Sequence, residues 1–521
     1  MKKIDYILPI ISSVLLIFAF PNFNVWILAW FALIPLFLSL KNKNLKQSFL
    51  LGLIFGFVAY LGFLKWIPFS IFHFTNSYTT AIAVWILGAL YPALSIAIFC
   101  VLYSFARKYL LDHKSDSKKE FFYKILFLLS VPSFWVALEF LQFKLFKGFP
   151  WIYHFMGTTQ WNNIYVVQSA SLVSEIGISF FVVLANYCLY RFYENRKSKE
   201  IIFGIIICLL CFAYGIWVVN LKIPNLANEK RDTVKIAILD GNIDSMIKWQ
   251  DKEKTGNYIA ETYLDLNKKA LAENPNLIVW TETAIPWPME EGDDLIEASL
   301  NVTAPIGASH IIGMPSYAEN DKFYNSVFLV SPDGLVLDKY EKVNLLDFIE
   351  KTKKIFPNFY LKLGNAKANY ASGEKSKPLN SLFGKIGVLI CNEDLYQDYV
   401  RNLVKDGSKF ILEIGNDSLS NSDTESIQHF IKNYFRAIEN RRDIVFANNK
   451  GISGSINAYG KIITFSDEKK SRVITTTVEK RDEVSFYNRF GDIFIYFCIF
   501  CSLISLFLSF YYFKIKKYHG K

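Results

Sequence analysis

Long apolar runs bounded by polar or basic residues recur along the first 220 positions and once more near the end of the chain. A helix needs about 20 apolar residues to cross the hydrocarbon core of a bilayer. The runs Asp5 to Phe20, Val25 to Leu40, Ser48 to Phe69, Thr80 to Ala106, Phe121 to Phe143, Ile164 to Tyr190, Ile201 to Asn220 and Phe490 to Phe513 therefore predict about eight membrane spans. The first two, broken by Pro21-Asn22-Phe23-Asn24, are short and read equally as one helical hairpin. The run from Tyr6 has no A-x-A-like cleavage site and is followed by further spans, so it reads as a retained anchor. Between the seventh and eighth spans the period changes. Short β-branched runs at Val234 to Leu239, Leu277 to Trp280, His310 to Met314, Ser326 to Val330, Ile386 to Ile390, Phe410 to Ile414, Ile444 to Ala447, Ile462 to Phe465 and Val473 to Val478 predict strands. Amphipathic patterns over Lys252 to Ala272 and Ser426 to Asn440 predict helices among them, and the alternation predicts an α/β layered domain.

Composition agrees with a chain that is part membrane and part water. Of 521 residues, 52% are hydrophobic, 17% aromatic and 20% charged, which excludes a disordered chain, a coiled coil or a disulfide-stapled miniprotein. Charge then orients the spans. Residues Leu221 to Phe490 carry 35 basic and 38 acidic side chains, leaving 22 basic and 9 acidic in the membrane part. That excess reads as topology rather than a nucleic-acid footprint, so no nucleic-acid partner is expected. Nineteen Lys and Arg fall in one alternating set of connections: Lys2 and Lys3, Lys41 to Lys46, Arg107 to Lys124, Arg191 to Lys199, and the tail from Lys514. The opposite set holds Lys144, Lys147 and Lys65. The positive-inside rule places both termini in the cytoplasm and the α/β domain on the other side of the membrane. The expected division is 1–220, a seven-span membrane domain; 221–489, an exported α/β domain; and 490–521, a last span with a basic tail.

Six of the seven cysteines lie in predicted spans, and Cys391 alone lies in the exported domain. It has no internal disulfide partner, so it is either an inert packed thiol or a nucleophile. Its setting favours the second, because it ends the apolar strand Gly387-Val-Leu-Ile390, and strand C-termini line the ligand crevice of α/β sheets. A thiol nucleophile needs a base to take its proton and a cation to favour the charged forms. Neither histidine of the domain, His310 or His429, has a recognisable catalytic setting. Two other strand ends offer partners: Glu282 in Trp280-Thr-Glu-Thr-Ala-Ile-Pro286, and Lys342 in Asp338-Lys-Tyr-Glu-Lys342. Either alone reads as a surface residue.

Together, in this order and spacing, the three segments resemble the Glu–Lys–Cys triad of the carbon–nitrogen hydrolase (nitrilase) superfamily. With spans on both sides, the chain resembles that superfamily's membrane branch, the apolipoprotein N-acyltransferases. The Gly148-Phe-Pro-Trp151 turn, Gly241-Asn-Ile with Lys248-Trp249, Asn416-Asp417, Arg436-Ala-Ile-Glu439, Arg442 and Asn449-Lys-Gly-Ile-Ser453 follow the same pattern.

The resemblance implies a polytopic α-helical membrane domain carrying a nitrilase-like four-layer αββα sandwich. It implies ping-pong acyl transfer from a membrane phospholipid, through a Cys391 thioester, to the α-amino group of a diacylglyceryl apolipoprotein. By the resemblance Glu282 acts as base and Lys342 stabilises the oxyanion, Glu350 and Glu393 either position the lysine or the amine or are solvated acids, and Trp249 either walls the acyl or headgroup pocket or packs in the core. No metal or cofactor is implied, a monomer is expected, and the location is the cytoplasmic (inner) membrane with the catalytic domain on the periplasmic side. The chain departs from the family at Asn392, where a Tyr is usual, at Asn344, Asp347 and Ile349 after the lysine, and at Leu419-Ser420 after Asn-Asp. These positions bear on donor and acceptor preference. Between lysine and nucleophile, Phe348, Lys351, Lys353, Lys354, Ile355, Phe356, Phe359, Tyr360 and Lys362 mix apolar and basic side chains, as a lid dipping into a leaflet would. Two acids within the spans stand out, Glu139 and Glu175, with Glu139 the better placed to meet the exported domain or a headgroup. A membrane-tethered amidase would share the triad, and an exported binding module would need the spans alone.

Overall fold

The structure, a computed structural model, describes residues 3–111, 117–145, 154–196, 199–226, 231–244, 247, 252–347, 350–351, 353–356, 359–361, 370–419 and 422–519. Trp249, the 148–151 turn, Phe348, Ile349, Lys362 and Ser420 lie outside these residues.

The helical platform begins with α1 (Lys3–Ala19), a 3-10 turn at Trp26–Trp30 and α2 (Ile34–Ser39). It continues through α3 (Leu45–Phe63), α4 (Ile67–Thr75), α5 (Tyr78–Ala106), α6 (Ser117–Leu145), α7 (Ala170–Glu194), α8 (Glu200–Trp217) and the short α9 (Ile223–Leu226). Among the described residues six helical stretches are long and apolar enough to cross a membrane: Leu45–Phe63, Tyr78–Leu111, Glu120–Leu145, Val166–Glu194, Glu200–Lys222 and Ile493–Lys517. The first two expected spans take the hairpin form. The chain reverses after α1 with Asn22 and Asn24 at φ 93° and 58°, and Ser12 Oγ accepts the Leu36 N–H at 2.8 Å, tying α2 back onto α1. The third span ends at Phe63 instead of Phe69, because Pro68 starts a separate helix, α4, in its first turn. Helices α3 and α5 touch backbone to backbone at Gly52 and Gly56, where an added Cβ would lie 2.7 Å from Cys100 Sγ and 2.8 Å from Ala93 Cα. This is small-residue packing of the kind that holds helices together in lipid.

The α/β domain builds two six-stranded sheets. The first has the order β14-β1-β2-β3-β4-β5, from β1 (Thr233–Asp240), β2 (Leu277–Trp280), β3 (Ser309–Tyr317), β4 (Phe323–Val330), β5 (Val336–Glu341) and β14 (Arg472–Glu479). The second has the order β13-β12-β11-β10-β9-β8, from β8 (Leu379–Ser381), β9 (Gly384–Ile390), β10 (Phe410–Asn416), β11 (Ile444–Asn449), β12 (Ser453–Ile456) and β13 (Ile462–Ser466). In each, three parallel strands are flanked by antiparallel ones. Residues facing alternate sides of β1 are both buried: Val234, Ile236 and Ile238 enter the core shared with the second sheet, while Ala237 and Leu239 pack under α10 (Lys252–Leu271) and α11 (Asp294–Thr303). On the far side of the second sheet, Val400 and Leu403 of α12 (Gln397–Lys405) and Phe430, Phe435 and Ile438 of α13 (Asp423–Asn440) close the same core. The layers are therefore helix, sheet, sheet, helix. A two-stranded hairpin of β6 (Lys353–Phe356) and β7 (Phe359–Leu361) occupies the segment expected to form a lid. A short α14 (Phe486–Phe490) leads into α15 (Ile493–His519), the last span.

Candidate active site

The nucleophile candidate is set by the end of β9. Cys391 has φ 51°, a left-handed conformation that non-glycine residues adopt at a cost, and it opens a 3-10 turn over Cys391–Leu395. The turn is buried, and Glu393 fastens it. Its carboxylate accepts the Ile390 N–H at 2.9 Å, the Val343 N–H at 2.9 Å, the Asn344 N–H at 3.1 Å and the Tyr340 hydroxyl at 2.7 Å. One buried carboxylate thus joins the ends of β9 and β5, the two strands that carry Cys391 and Lys342. Asn392, also buried, donates from Nδ2 to the Asn344 carbonyl at 3.1 Å and adds a second tie between these ends.

Lys342 follows β5 with its side chain 1% exposed. Its Nζ lies 2.9 Å from Glu350 Oε2 and 3.5 Å from Glu282 Oε1. Glu282 follows β2, and Asn325 Nδ2 donates to its Oε1 at 2.8 Å and to Glu350 Oε1 at 3.2 Å. Glu350 also accepts the Leu346 N–H at 2.8 Å. Sequence reasoning passed over Asn325, although an amide inside the apolar strand β4 is itself a signal. The structure brings Glu282, Lys342, Glu350, Glu393, Asn392 and Cys391 together in one buried cluster at the strand ends.

Burial raises the basicity of the site. It pushes the Glu282 carboxyl up against the opposing pull of Lys342. Burial and then Glu282 push the Cys391 thiol well above its usual range, while Lys342 and His429 pull it down. The carboxylates of Glu350 and Glu282 overcome burial and hold Lys342 well above the ordinary lysine range, so it stays cationic. Burial thus favours a neutral Cys391 thiol beside a Glu282 carboxyl of raised proton affinity, with Lys342 held as a cation between Glu282 and Glu350.

The platform reaches this site through its span ends. The Tyr396 ring, just after the Cys391–Leu395 turn, lies 6.0 Å from Phe143 of α6, and Lys144 pairs with Asp398 at 2.8 Å. Asn22, Trp66 and Gln168 bond Thr424, Gln428 and the Tyr459 carbonyl. The strongest joint is at Glu175 in α7. Its carboxylate lies 2.7 Å from Lys432 Nζ and 2.7 Å from Arg436 Nη2 of α13, and its N–H donates to Glu439 at 2.7 Å. Ser174 beside it breaks the helix at φ 69°, and Gly157 packs so close that a Cβ there would lie 2.1 Å from the Glu175 carbonyl. Glu139, expected to be the better candidate, instead accepts the Trp135 Nε1–H and the Met156 N–H at 2.7 Å each, both from the platform. The difference follows from position. Glu175 is in the first turns of α7, facing α13, whereas Glu139 sits in α6 facing the 156–160 turn.

Two family models match the chain: the apolipoprotein N-acyltransferase N-terminal domain over residues 12–188, and the carbon–nitrogen hydrolases over 235–485. An apolipoprotein N-acyltransferase from Geobacter metallireducens is 30% identical over 516 residues, covering 95% of this chain and 93% of its own. The chain belongs to the apolipoprotein N-acyltransferase family. Apolipoprotein N-acyltransferases from Wigglesworthia glossinidia brevipalpis and Borreliella burgdorferi are 27% and 26% identical, over 95% and 97% of this chain and 96% of each of theirs. The two matched regions fall on the two architectures: the N-terminal region on α1 through α7, and the hydrolase region on both sheets.

Proposed function

We propose that this member of the family moves an acyl chain from a membrane phospholipid, through a thioester on Cys391, to the α-amino group of an S-diacylglyceryl-cysteine at the N-terminus of an apolipoprotein. Glu282 takes the Cys391 proton, and the thiolate attacks the phospholipid ester carbonyl. Lys342 stabilises the tetrahedral oxyanion, a contribution whose removal typically costs about 10²–10³ in rate. The intermediate collapses, the glycerol oxygen leaves with the proton from Glu282, and a lysophospholipid departs. The acceptor amine then attacks the thioester, Glu282 takes the amine proton, and the Cys391 thiolate leaves and is reprotonated as the amide forms. Glu350 and Glu393 act through others: Glu350 holds Lys342, and Glu393 holds the strand ends.

The observation that carries this reading is the convergence of Glu282, Lys342 and Cys391 in one buried cluster, with Tyr396 just after the Cys391–Leu395 turn packing on the end of a span. Both substrates keep acyl chains in the bilayer, so chemistry on them belongs at that junction. Every platform contact with the α/β domain described above comes from span ends opposite the Lys- and Arg-rich connections, which favours an inner-membrane protein with cytoplasmic termini and the domain across the membrane. The functional division is then 1–220, 221–489 and 490–521, and the working unit a monomer.

The test is transfer itself. The purified chain, given phospholipid vesicles and a synthetic S-diacylglyceryl-cysteinyl peptide, is expected to add one acyl chain to the peptide amine and release one lysophospholipid per transfer, both read by mass spectrometry. Release of free fatty acid with an unmodified peptide would overturn the reading in favour of a hydrolase.

A further inference from the structure

Beside the nucleophile lies a buried cluster of ionisable side chains that the reaction above does not use. His429 of α13 is fully buried. Its Nδ1 lies 3.1 Å from Asp417 Oδ1, and its Nε2 lies 3.4 Å from Asp394 Oδ1 and 3.6 Å from Glu413 Oε1. Asp394 belongs to the Cys391–Leu395 turn, Glu413 to β10 and Asp417 to the turn that follows β10, so one ring meets three separate elements. Glu425, one turn earlier on α13, brings a fourth carboxyl near the ring.

The charges decide what the ring does. Asp394 is fully buried, and among the described residues neither of its carboxylate oxygens has a hydrogen-bond partner. The cation paired with it is His429, at 3.4 Å; Arg436, two turns further along α13, also acts on Asp394 but is held by Glu175 and Glu439. A buried carboxylate that loses its paired cation is strongly unfavourable, so the Cys391–Leu395 turn in this form favours a charged ring. Burial opposes that charge, but Asp394, Glu413 and Asp417 outweigh it and hold His429 well above the imidazole range, while burial keeps Glu413 well above the carboxylate range.

We propose that His429 is a positioning residue for the nucleophile: as the cation that offsets Asp394, it holds the Cys391–Leu395 turn in its left-handed start and stabilises the thiolate that forms at Cys391. The proposal rests on Cys391 as the nucleophile, but it concerns the thiol and not the lipid. It also makes α13 the mechanical link between platform and reaction, since the helix that carries His429 also carries Lys432 and Arg436, the partners of Glu175.

The test is alkylation of Cys391 by iodoacetamide in the full-length protein across pH 6–11, read on the Cys391 peptide by mass spectrometry so that the cysteines of the spans do not interfere. His429→Gln is expected to move the midpoint up by about one pH unit, so that alkylation below both midpoints falls about tenfold. Asp394→Asn is expected to leave the midpoint at or below that of the unaltered protein, and adding His429→Gln to Asp394→Asn to raise it again. That pair decides the matter if the single His429 variant does not fold. A purely structural role would lower the melting temperature and leave the midpoint in place; unshifted midpoints in folded variants would overturn the proposal. The assay contains no phospholipid, so absence of an acyl adduct on the unaltered protein would sink the proposed function and leave this comparison standing.

Discussion

Cys391→Ser is expected to abolish acyl transfer while leaving the fold and the membrane insertion intact. The side chain is buried and the substitution nearly conserves its volume, so the variant should melt close to the unaltered protein. The chemistry does not survive the change. A serine hydroxyl is far less acidic than a thiol, and neither Glu282 nor Lys342 is arranged to ionise it. Removing a protease nucleophile costs about 10⁶ in kcat, and a loss of at least about 10⁴-fold in peptide acylation is the expectation here. A variant that retained a tenth of the transfer rate would mean that acyl groups reach the acceptor without Cys391, and a binding module would keep its ligand affinity unchanged.

The second large effect lies outside the Glu282–Lys342–Cys391 cluster. Glu175→Gln is expected to destabilise the joint between α7 and α13, because it leaves Lys432 and Arg436 as buried cations without their carboxylate. Breaking one partner of a buried ion pair costs about 3–5 kcal/mol. The remaining acid at the joint is a poor substitute, since burial, against the pull of Arg436, pushes Glu439 up to about 7. A lower melting temperature and faster proteolysis at the connection into α13 should appear together with loss of transfer from vesicle phospholipid. An unchanged melting temperature would show that the network does not hold the domain to the platform.

Much of this was legible in the sequence because two-sided burial leaves a plain trace. The strands β1, β2, β3, β9, β10 and β11 are apolar on both faces and read as continuous runs, and the three candidate catalytic groups follow directly after such runs or after β5. What escaped was short or depended on tertiary partners. Strand β12 has four residues including Gly454, and α12 has nine, too few for a period to stand out. The expected spans from Asp5 and Val25 form a hairpin because the break between them lets α2 fold back onto α1, a choice set by Ser12 rather than by hydropathy. His429 escaped because its carboxylate partners come from three segments with no fixed spacing to it. A signal was nevertheless present. His429, Asn433, Arg436 and Asn440 repeat at helical spacing along α13 and all are buried, so this polar stripe on an inward face marked a charged interior. Glu175 could be singled out from sequence, but its two cations lie more than 250 positions away and only the fold brings them to it.

The central claim is that Cys391 carries the acyl chain, and the most direct measurement is mass spectrometry of the full-length protein after incubation with phospholipid and no acceptor. The account predicts a single fatty-acyl adduct, located on the Cys391 peptide, cleaved by hydroxylamine as a thioester and discharged when a diacylglyceryl peptide is added. Protein that is active in transfer yet shows no adduct on Cys391 would contradict it.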